Sequence, residues 1–161
     1  MLPESVAENS TAAAIAQRLP DAIVDAKMAI DGPVLTIAAK EILPACGLLK
    51  QSLGFERISA ITGVDWWPGV PRFELVYFLH SLRHNARLRL IVRLEEDQPV
   101  DSVCAVWRGA NWYEREVFDL FGVHFRNHPN LERILMPADW EGYPLRKDYP
   151  VHGHRYSYQD E

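Results

Sequence analysis

The sequence predicts one α+β domain, in which an antiparallel sheet meander is covered on one face by helices and followed by an extended C-terminal arm. Residues 87–94 alternate arginine or isoleucine with aliphatic side chains, which is the two-residue period of a strand with one buried face. Apolar residues recur at helical spacing over residues 41–53 and 111–121. Beyond residue 126, prolines and glycines recur too closely for a long helix or strand.

The composition is that of a soluble globular domain. The chain has 161 residues, of which 48% are hydrophobic and 24% are charged, so it is long enough to bury a core of its own. No apolar run approaches the roughly 20 residues of a membrane helix, and the N-terminus lacks the pattern of a signal or transit peptide. We therefore expect a cytosolic chain, whose association with any membrane would be indirect. The net charge of −5 argues against nucleic-acid binding.

No cofactor site is expected in this chain. Cys46 and Cys104 are far apart and form no Cys-x-x-Cys pair, which argues against an iron-sulfur cluster or a structural zinc ion held by this chain alone. Both are interpreted as small core residues. Neither a Gly-x-Gly-x-x-Gly turn nor a phosphate-binding Walker loop is present, so the chain shows no sign of binding a nucleotide.

The first residues are expected to form a loose segment and then a short helix. Residues 1 to about 10 show no periodicity. Residues 11–19 are rich in alanine, which has the highest helix propensity, and Pro20 would end the helix. The N-cap is expected to be Ser10 or Thr11, whose hydroxyl can accept a hydrogen bond from a free N–H group.

A hairpin, a helix and three strands are predicted next. The turn Asp31-Gly32-Pro33 indicates the hairpin, and short connections join the three later strands into an antiparallel meander. The helix has Pro44 in its first turn and Gly54 after its end, and its apolar stripe would cover the sheet. The predicted strands are residues 22–30, 34–38, 57–64, 73–79 and 87–94, and the helix spans residues 41–53.

The main helix is predicted over residues 111–121. Asn111 is a good N-cap, and Glu114 stands three residues later, where it could complete a capping box. Gly122 fits the C-terminal cap. Residues 1–125 would then form the domain, and residues 126–161 an extended interaction arm that is not a separate domain. The core stripe consists of Tyr113, Val117, Leu120 and Phe121.

The region from the main helix onward carries a specific set of motifs. They are Glu114-Arg115-Glu116, Asp119-Leu120-Phe121-Gly122, His128-Pro129, Leu131, Arg133-Ile134-Leu135, Pro137, Trp140, Gly142 and Pro144-Leu145-Arg146-Lys147-Asp148-Tyr149-Pro150. Upstream stand Thr62-Gly63-Val64-Asp65-Trp66, Phe73-Glu74-Leu75-Val76-Tyr77, Ser81-Leu82 and Arg87-Leu88-Arg89-Leu90. Over about residues 57–150 the chain resembles the C subunits, or 30-kilodalton subunits, of respiratory complex I, the proton-pumping NADH:quinone oxidoreductase. Tyr143 departs from the histidine that is more common there.

The resemblance implies a noncatalytic structural and assembly subunit of the hydrophilic peripheral arm. It implies contact chiefly with the D subunit and also with the B and I subunits. FMN and the iron-sulfur clusters would lie in other subunits, and electron transfer from NADH to quinone, with its coupled proton translocation, would belong to the complex. The alternative within this class is the equivalent subunit of a ferredoxin-, F420- or hydrogen-linked membrane complex.

The charged residues of the main helix admit two interpretations. The preferred one is a structural ion-pair and capping cluster, because an adjacent arginine keeps carboxylates ionised. The alternative, from a different class, is a free-standing acid-base or metal hydrolase built on Glu116, Asp119 and His128. His124 and His128 are four apart, but turn formers interrupt the helix that a zinc pair would need. The family-signature residues are Glu114, Arg115, Glu116, Asp119, Gly122, His128 and Pro129.

The arm is interpreted as the surface that binds a neighbouring protein. Its arginines are expected to form salt bridges with that protein, although a phosphate or lipid head group is the alternative, and its aromatic residues are expected to anchor the interface. Trp112 could serve either the core or the interface. His152 and His154 are assigned to a solvated tail. The predicted interface consists of Arg133, Trp140, Tyr143, Pro144, Leu145, Arg146, Lys147, Asp148 and Tyr149.

One further charge pattern lies outside these motifs. Residues 72–93 contain five arginines against one acid, Glu74. The preferred interpretation is that these charges alternate with core residues on solvated strands, and the alternative is a binding patch.

Overall fold

A computed structural model describes residue 6 and residues 9–151 of the chain. Three helices and seven strands are formed there, and a single 3-10 turn (Ala39–Glu41) precedes the second helix. The helices are α1 (Ser10–Arg18), α2 (Ile42–Ser52) and α3 (Ala110–Phe121). The strands are β1 (Ile23–Ala29), β2 (Gly32–Ile37), β3 (Arg57–Asp65), β4 (Phe73–Ser81), β5 (Ala86–Leu94), β6 (Val100–Asp101) and β7 (Phe125–Arg126). None of the helices in this part of the chain has the length and hydropathy required to span a bilayer.

The main sheet has five strands in the order β1-β2-β5-β4-β3. The predicted hairpin and the predicted β3-β4-β5 meander are confirmed, and all their pairings are antiparallel. One pairing departs from the prediction of a purely antiparallel sheet. The hairpin joins the meander through a parallel pairing of β2 with β5, so the sheet is mixed. Parallel neighbours need a long crossover connection, and α2 with β3 and β4 supplies it.

The core lies between one face of this sheet and the helices. Every second residue of β4, from Phe73 to Leu79, is buried, as is every second residue of β5 from Leu88 to Leu94. Helix α3 packs against this face, where the rings of Phe121 and Phe73 meet edge to face at a centroid distance of 6.4 Å. The opposite face of the meander is largely half-buried or exposed.

The start of the described chain differs from the sequence prediction. The N-cap of α1 is Asn9, whose Oδ1 accepts from the N–H groups of Thr11 and Ala12, so neither Ser10 nor Thr11 is the cap. Val6 is fully buried in the core, which contradicts the prediction of a loose segment at that position. For residues 1–5, 7 and 8 that prediction lies outside the described residues, as does the assignment of His152 and His154 to a solvated tail.

The segment after β7 forms turns and contains neither helix nor strand up to residue 151. This confirms the expectation drawn from its prolines and glycines. The segment does not extend away from the body, however. The backbone N–H of Leu145 donates to the carbonyl of Leu120 at the C-terminus of α3, so the chain returns to the helix from which it came.

Candidate functional site

Asp119 is the point at which the C-terminal segment is fixed to helix α3. Its carboxylate is fully buried, and Oδ2 accepts from three consecutive backbone N–H groups at 2.7–3.0 Å, those of residues 134–136. Oδ1 accepts from Arg133 at 2.7 Å. Burial alone would raise the pKa of Asp119, but the backbone N–H groups and the guanidinium outweigh burial and lower it. The ionised carboxylate therefore holds a loop that has no regular structure.

Arg133 completes this connection from the side of the segment. Besides the Asp119 carboxylate, its guanidinium donates to the backbone carbonyls of Asp119, Trp140 and Gly142 at 2.9–3.0 Å. It also lies over the ring of Tyr143, at 5.3 Å from the ring centroid. One arginine thus ties two separate stretches of the segment to one helical residue, which the planar, five-donor guanidinium is suited to do.

Arg115 holds the same segment from one turn earlier on the helix. It donates to the backbone carbonyls of Glu132 and Arg133 at 3.0 and 3.1 Å. Its guanidinium also lies over the ring of Trp112, at 5.3 Å. The helix therefore supplies a positively charged donor and a negatively charged acceptor to adjacent parts of one loop, so the loop is fixed in a single register.

The C-terminus of α3 is closed by Gly122, Tyr143 and Arg146. Gly122 caps the helix with a φ of 76°, as predicted, and a Cβ built there would stand 2.6 Å from the Tyr143 ring. Arg146 donates to the Phe121 carbonyl at 2.6 Å and stacks on the Tyr143 ring at 4.7 Å. The glycine is therefore required twice, for its left-handed backbone and for the close approach of the segment.

A second ion-pair group connects the segment to the sheet. Arg72 and Asp65 are both buried and form a bidentate pair with two contacts of 3.1 Å. Arg72 also donates to Glu96 at 2.7 Å and to Asp148 at 2.6 Å, and Asp65 accepts from the backbone N–H of Lys147 at 2.9 Å. The Arg72 hydrogen bond lowers the pKa of Asp148, and the hydrogen bonds to Asp65 and Asp148 raise the pKa of Arg72.

These contacts correct the expectation that the charges of the arm find their partners in another protein. Arg133 pairs with Asp119, Asp148 pairs with Arg72, and Arg146 lies 3.2 Å from Glu96. The physical reason is that buried acids on the body, Asp119 above all, need compensating donors, and the nearby segment supplies them. The predicted role of the remaining arm residues in binding a partner stays a prediction.

Glu114 forms a separate buried network on the other side of α3. Its carboxylate accepts from the backbone N–H of Val103 at 2.7 Å, from the Ser102 hydroxyl at 2.6 Å and from the Cys104 thiol at 3.3 Å. Helix α3 starts after Gly109, with no side-chain cap, so the predicted capping box between Asn111 and Glu114 is wrong. Glu114 instead points inward and holds the turn after β6, where it satisfies a buried backbone donor.

Burial dominates the electrostatics of this network. It raises the pKa of Glu114 above the usual value for a glutamate, although the hydrogen bonds from Ser102 and Val103 oppose the shift. Burial, together with the Glu114 carboxylate, raises the pKa of the Cys104 thiol to about 12. The thiol is therefore protonated at neutral pH, where it acts as a hydrogen-bond donor and a poor nucleophile.

One group among the described residues brings together atoms that could hold a metal ion. Cys104, Glu114 and His128 place a sulfur, a carboxylate oxygen and a ring nitrogen within 4.8 Å of one another. The Nδ1 atom of His128 accepts from the backbone N–H of Asn130 at 3.0 Å, so Nε2 carries the proton and faces the Asn111 carbonyl at 3.3 Å. With both nitrogens in use and the thiol protonated, these residues fit a hydrogen-bonded core better than a metal centre.

The residues of the alternative hydrolase hypothesis are not gathered into one hydrogen-bonded group. Glu116 is exposed on α3, Asp119 is buried against the C-terminal segment, and His128 lies beside Glu114, with its Nε2 at 3.8 Å from the carboxylate. Pro129, which follows, is exposed. Their spacing along the sequence suggests one cluster, but their side chains serve different neighbours.

Several predicted interface residues do face outward. Leu145 is 52% exposed, Lys147 and Asp148 are exposed, and Trp112 is 60% exposed. Trp112 is therefore not a core residue, and its role in an interface stays a prediction. The others are half-buried against the body, namely Arg133, Trp140, Tyr143, Pro144, Arg146 and Tyr149.

Four residues that the structure uses carry no site role in the prediction from sequence. Asp65 and Arg72 form the buried pair under the segment, Glu96 joins that pair, and Ser102 completes the Glu114 network. For Asp65 the signal was its strand position, because it lies directly opposite the buried Phe73 in β4 and thus on the core face. An acid on a core face requires a cationic or hydrogen-bonding partner.

Known proteins share the sequence pattern of this chain over most of its residues. The family described as "Respiratory-chain NADH dehydrogenase, 30 Kd subunit" matches residues 35–155. The C subunit of the NADH-quinone oxidoreductase of Geobacter sulfurreducens is 42% identical over 151 residues, which cover 92% of this chain and 93% of the relative. The C subunit of the same enzyme from Hyphomonas neptunium is 40% identical over 153 residues, with 94% and 76% coverage.

The fold is also similar to a chain of a solved assembly. That structure is described as the membrane-bound sulfane sulfur reductase, an archaeal respiratory membrane complex. The TM-score is 0.74 at 27% sequence identity, and the match covers 87% of this chain and 84% of the other.

Proposed function

This chain belongs to the family of the 30 kDa subunit of the respiratory-chain NADH dehydrogenase, and from that premise we propose that it is a noncatalytic structural and assembly subunit. As a C subunit of NADH-quinone oxidoreductase, or complex I, it works within an oxidoreductase complex that transfers electrons from NADH to quinone. Its proposed task is to present a fixed surface to neighbouring subunits in the peripheral arm.

The observation that supports a noncatalytic role is the use made of the charged residues of α3. Both oxygens of Asp119 are occupied by four donors within the chain, and its lowered pKa keeps it ionised. Glu114 is fully buried and accepts hydrogen bonds from the turn after β6. Each carboxylate thus serves to position backbone.

The proposed neighbours are chiefly the D subunit and also the B and I subunits of the same complex. The segment around residues 131–149 is fixed on the body and turns Leu135, Leu145 and Lys147 outward, so it offers a preformed surface. A surface ordered before binding loses less conformational entropy on association. We further propose that the chain lies on the cytoplasmic side of the membrane and that other subunits bind FMN and the iron-sulfur clusters.

A relative of complex I with another source of electrons is the second candidate. The similarity to a chain of the archaeal sulfane sulfur reductase supports this second candidate, because that complex is named for sulfane sulfur reduction and not for NADH. Under this alternative the complex would take its electrons from ferredoxin, F420 or hydrogen, and the scaffolding role of this chain would be the same.

The test is purification of the full-length tagged chain from mildly solubilised native membranes. We expect the D, B and I subunits to co-purify with it in fixed ratio, together with the NADH-oxidising module. Recovery of the chain alone, or with proteins unrelated to the complex, would overturn the scaffold role. A complex that contains a ferredoxin-, F420- or hydrogen-linked module in place of the NADH module would decide for the second candidate.

A catalytic role is tested separately with the purified chain. Glu116→Gln leaves the buried Asp119 and Glu114 networks intact, because Glu116 takes part in neither. We expect neither the parent chain nor this variant to hydrolyse carboxylate or phosphate esters. Turnover by the parent chain that Glu116→Gln abolishes would support the hydrolase hypothesis instead.

A further inference from the structure

A row of basic side chains crosses the sheet on the face turned away from the helices. In the antiparallel register Arg57 of β3 lies directly opposite His80 of β4, and His80 lies directly opposite Arg87 of β5. Directly opposed residues share one face of a sheet, with their Cβ atoms about 5 Å apart. Three basic residues therefore stand side by side across three adjacent strands.

This row borders a cavity of about 320 Å³ at the same end of the sheet. Phe78, Arg89 and Asp31 also line the cavity, and Arg89 forms an ion pair with Asp31. Three guanidinium groups against a single carboxylate leave a net charge of +2 in the lining, not counting the histidine. The lining is thus cationic, with an aromatic ring in its wall.

The row lacks compensation within the described part of the chain. Arg57 and Arg87 have no carboxylate partner among these residues, and the Nε2 atom of His80 is buried without a hydrogen-bond partner there. A buried polar atom without a partner destabilises a fold, and the two guanidinium groups on either side of His80 add positive charge that no carboxylate balances. An oxyanion in the cavity would relieve both effects.

We propose that this cavity receives the carboxylate of an aspartate or glutamate from a neighbouring subunit. The inference rests on the proposed function, because it requires the chain to sit in an assembly. The choice of a protein partner follows from the surface that continues from the cavity. Val76, Phe78 and Ile91 are half-buried on the same sheet face, and together with the arginines they have the composition of an interface core. A forked guanidinium binds a carboxylate through two parallel hydrogen bonds.

The test uses the assembled complex that carries Arg87→Lys, and in a second preparation Arg57→Lys. A water-soluble carbodiimide joins a lysine amine to a carboxylate with which it is in contact, by forming an amide bond and releasing the activating group as a urea. Mass spectrometry then identifies the acidic residue. The control is Arg108→Lys, because Arg108 is exposed and lies outside the sheet.

We expect both sheet variants to become coupled to an aspartate or glutamate of another subunit, with a yield at least about tenfold above that of Arg108→Lys. Coupling only to Asp31 of the same chain, or none, in a complex that retains this chain would overturn the proposal and leave the scaffold role standing. Absence of the chain from any complex would instead overturn the scaffold role and this proposal with it.

A second measurement separates a partner carboxylate from a free anion. The double variant Arg57→Gln and Arg87→Gln, with its fold verified by circular dichroism, should bind the remainder of the complex at least about tenfold more weakly than the parent chain. Arg108→Gln should bind like the parent. Unchanged binding by the double variant, or saturation of the cavity by inorganic phosphate in the intact complex, would overturn the proposal.

Discussion

Replacing Asp119 with asparagine should destabilise the whole chain, because this one carboxylate receives three backbone N–H groups and the Arg133 guanidinium. Asparagine has the same size but cannot satisfy all four donors. If its oxygen accepts from the backbone N–H groups, its amide nitrogen faces the guanidinium nitrogen, and two donors then oppose each other. If the amide is flipped, it opposes the backbone N–H groups instead.

The size of the expected loss in the free energy of unfolding follows from the burial of the Asp119–Arg133 pair. Asp119 is fully buried and the Arg133 side chain is 17% exposed, and removing one partner of a buried pair costs about 3–5 kcal/mol. Arg133 would keep three carbonyl acceptors, so the lower limit of about 3 kcal/mol applies. In a chain of this size such a loss lowers the melting temperature by roughly 6–12 °C.

The assay is urea unfolding of the full chain, followed by tryptophan fluorescence, with Glu116→Gln as the matched control. Glu116 lies on the same helix and undergoes the same chemical change, but it is exposed and outside both carboxylate networks. Its variant should therefore stay within about 0.5 kcal/mol of the parent. Equal stability of Asp119→Asn and the parent chain would refute the interpretation of Asp119 as the anchor of the segment. Equal losses in both variants would refute it as well.

Three further predictions follow from the same contacts. Gly122→Ala should lower the free energy of unfolding by about 2 kcal/mol or more, measured by thermal unfolding, because φ is 76° and the new Cβ would stand 2.6 Å from the Tyr143 ring. Gly47→Ala is the control and should not lower it, because Gly47 lies in a helix and its new Cβ would meet nothing within 4 Å. A loss of similar size at both glycines would contradict this. Asp148→Asn should cost about 1 kcal/mol in urea unfolding, since its partner Arg72 keeps two other carboxylates; a loss above about 3 kcal/mol would show that the pair dominates. The pKa of Glu114 is raised in the folded chain. Its contribution to the free energy of unfolding is therefore largest below its pKa in the unfolded chain, and it is lost as pH rises through its pKa in the folded chain. In Glu114→Gln, urea unfolding should therefore show a smaller decline in stability above about pH 4, and an unchanged pH profile would exclude this assignment.

The strands and the C-terminal cap of α3 could be predicted from the sequence because their signals are local. The period-2 pattern of β5 fixes which side chains are buried, and a one-residue shift would expose all of them. Gly122 follows a complete apolar stripe, where a left-handed cap is common. The parallel pairing of β2 with β5 had no such signal, since it joins segments that are far apart in sequence.

The environment of Glu114 shows why a correct motif can lead to a wrong contact. A glutamate three residues after an asparagine fits a capping box, and the sequence contains that pattern. The helix begins at Ala110 instead, and the turn after β6 brings Ser102 and the Val103 N–H group against the same carboxylate. A buried acid takes the donors that tertiary structure provides, and these cannot be derived from local spacing.

The many charged residues of the C-terminal segment order the segment itself. Its arginines and Asp148 are used within the chain, against acids and carbonyls of the body, so they order the segment before any partner arrives. Under the proposed scaffold role, recognition by another subunit depends on what remains outward. This includes the exposed Leu145 and Lys147 of the segment and, on the far side of the sheet, the basic row around His80. A chain organised in this way can contact two neighbours on two faces while its interior fixes the angle between them.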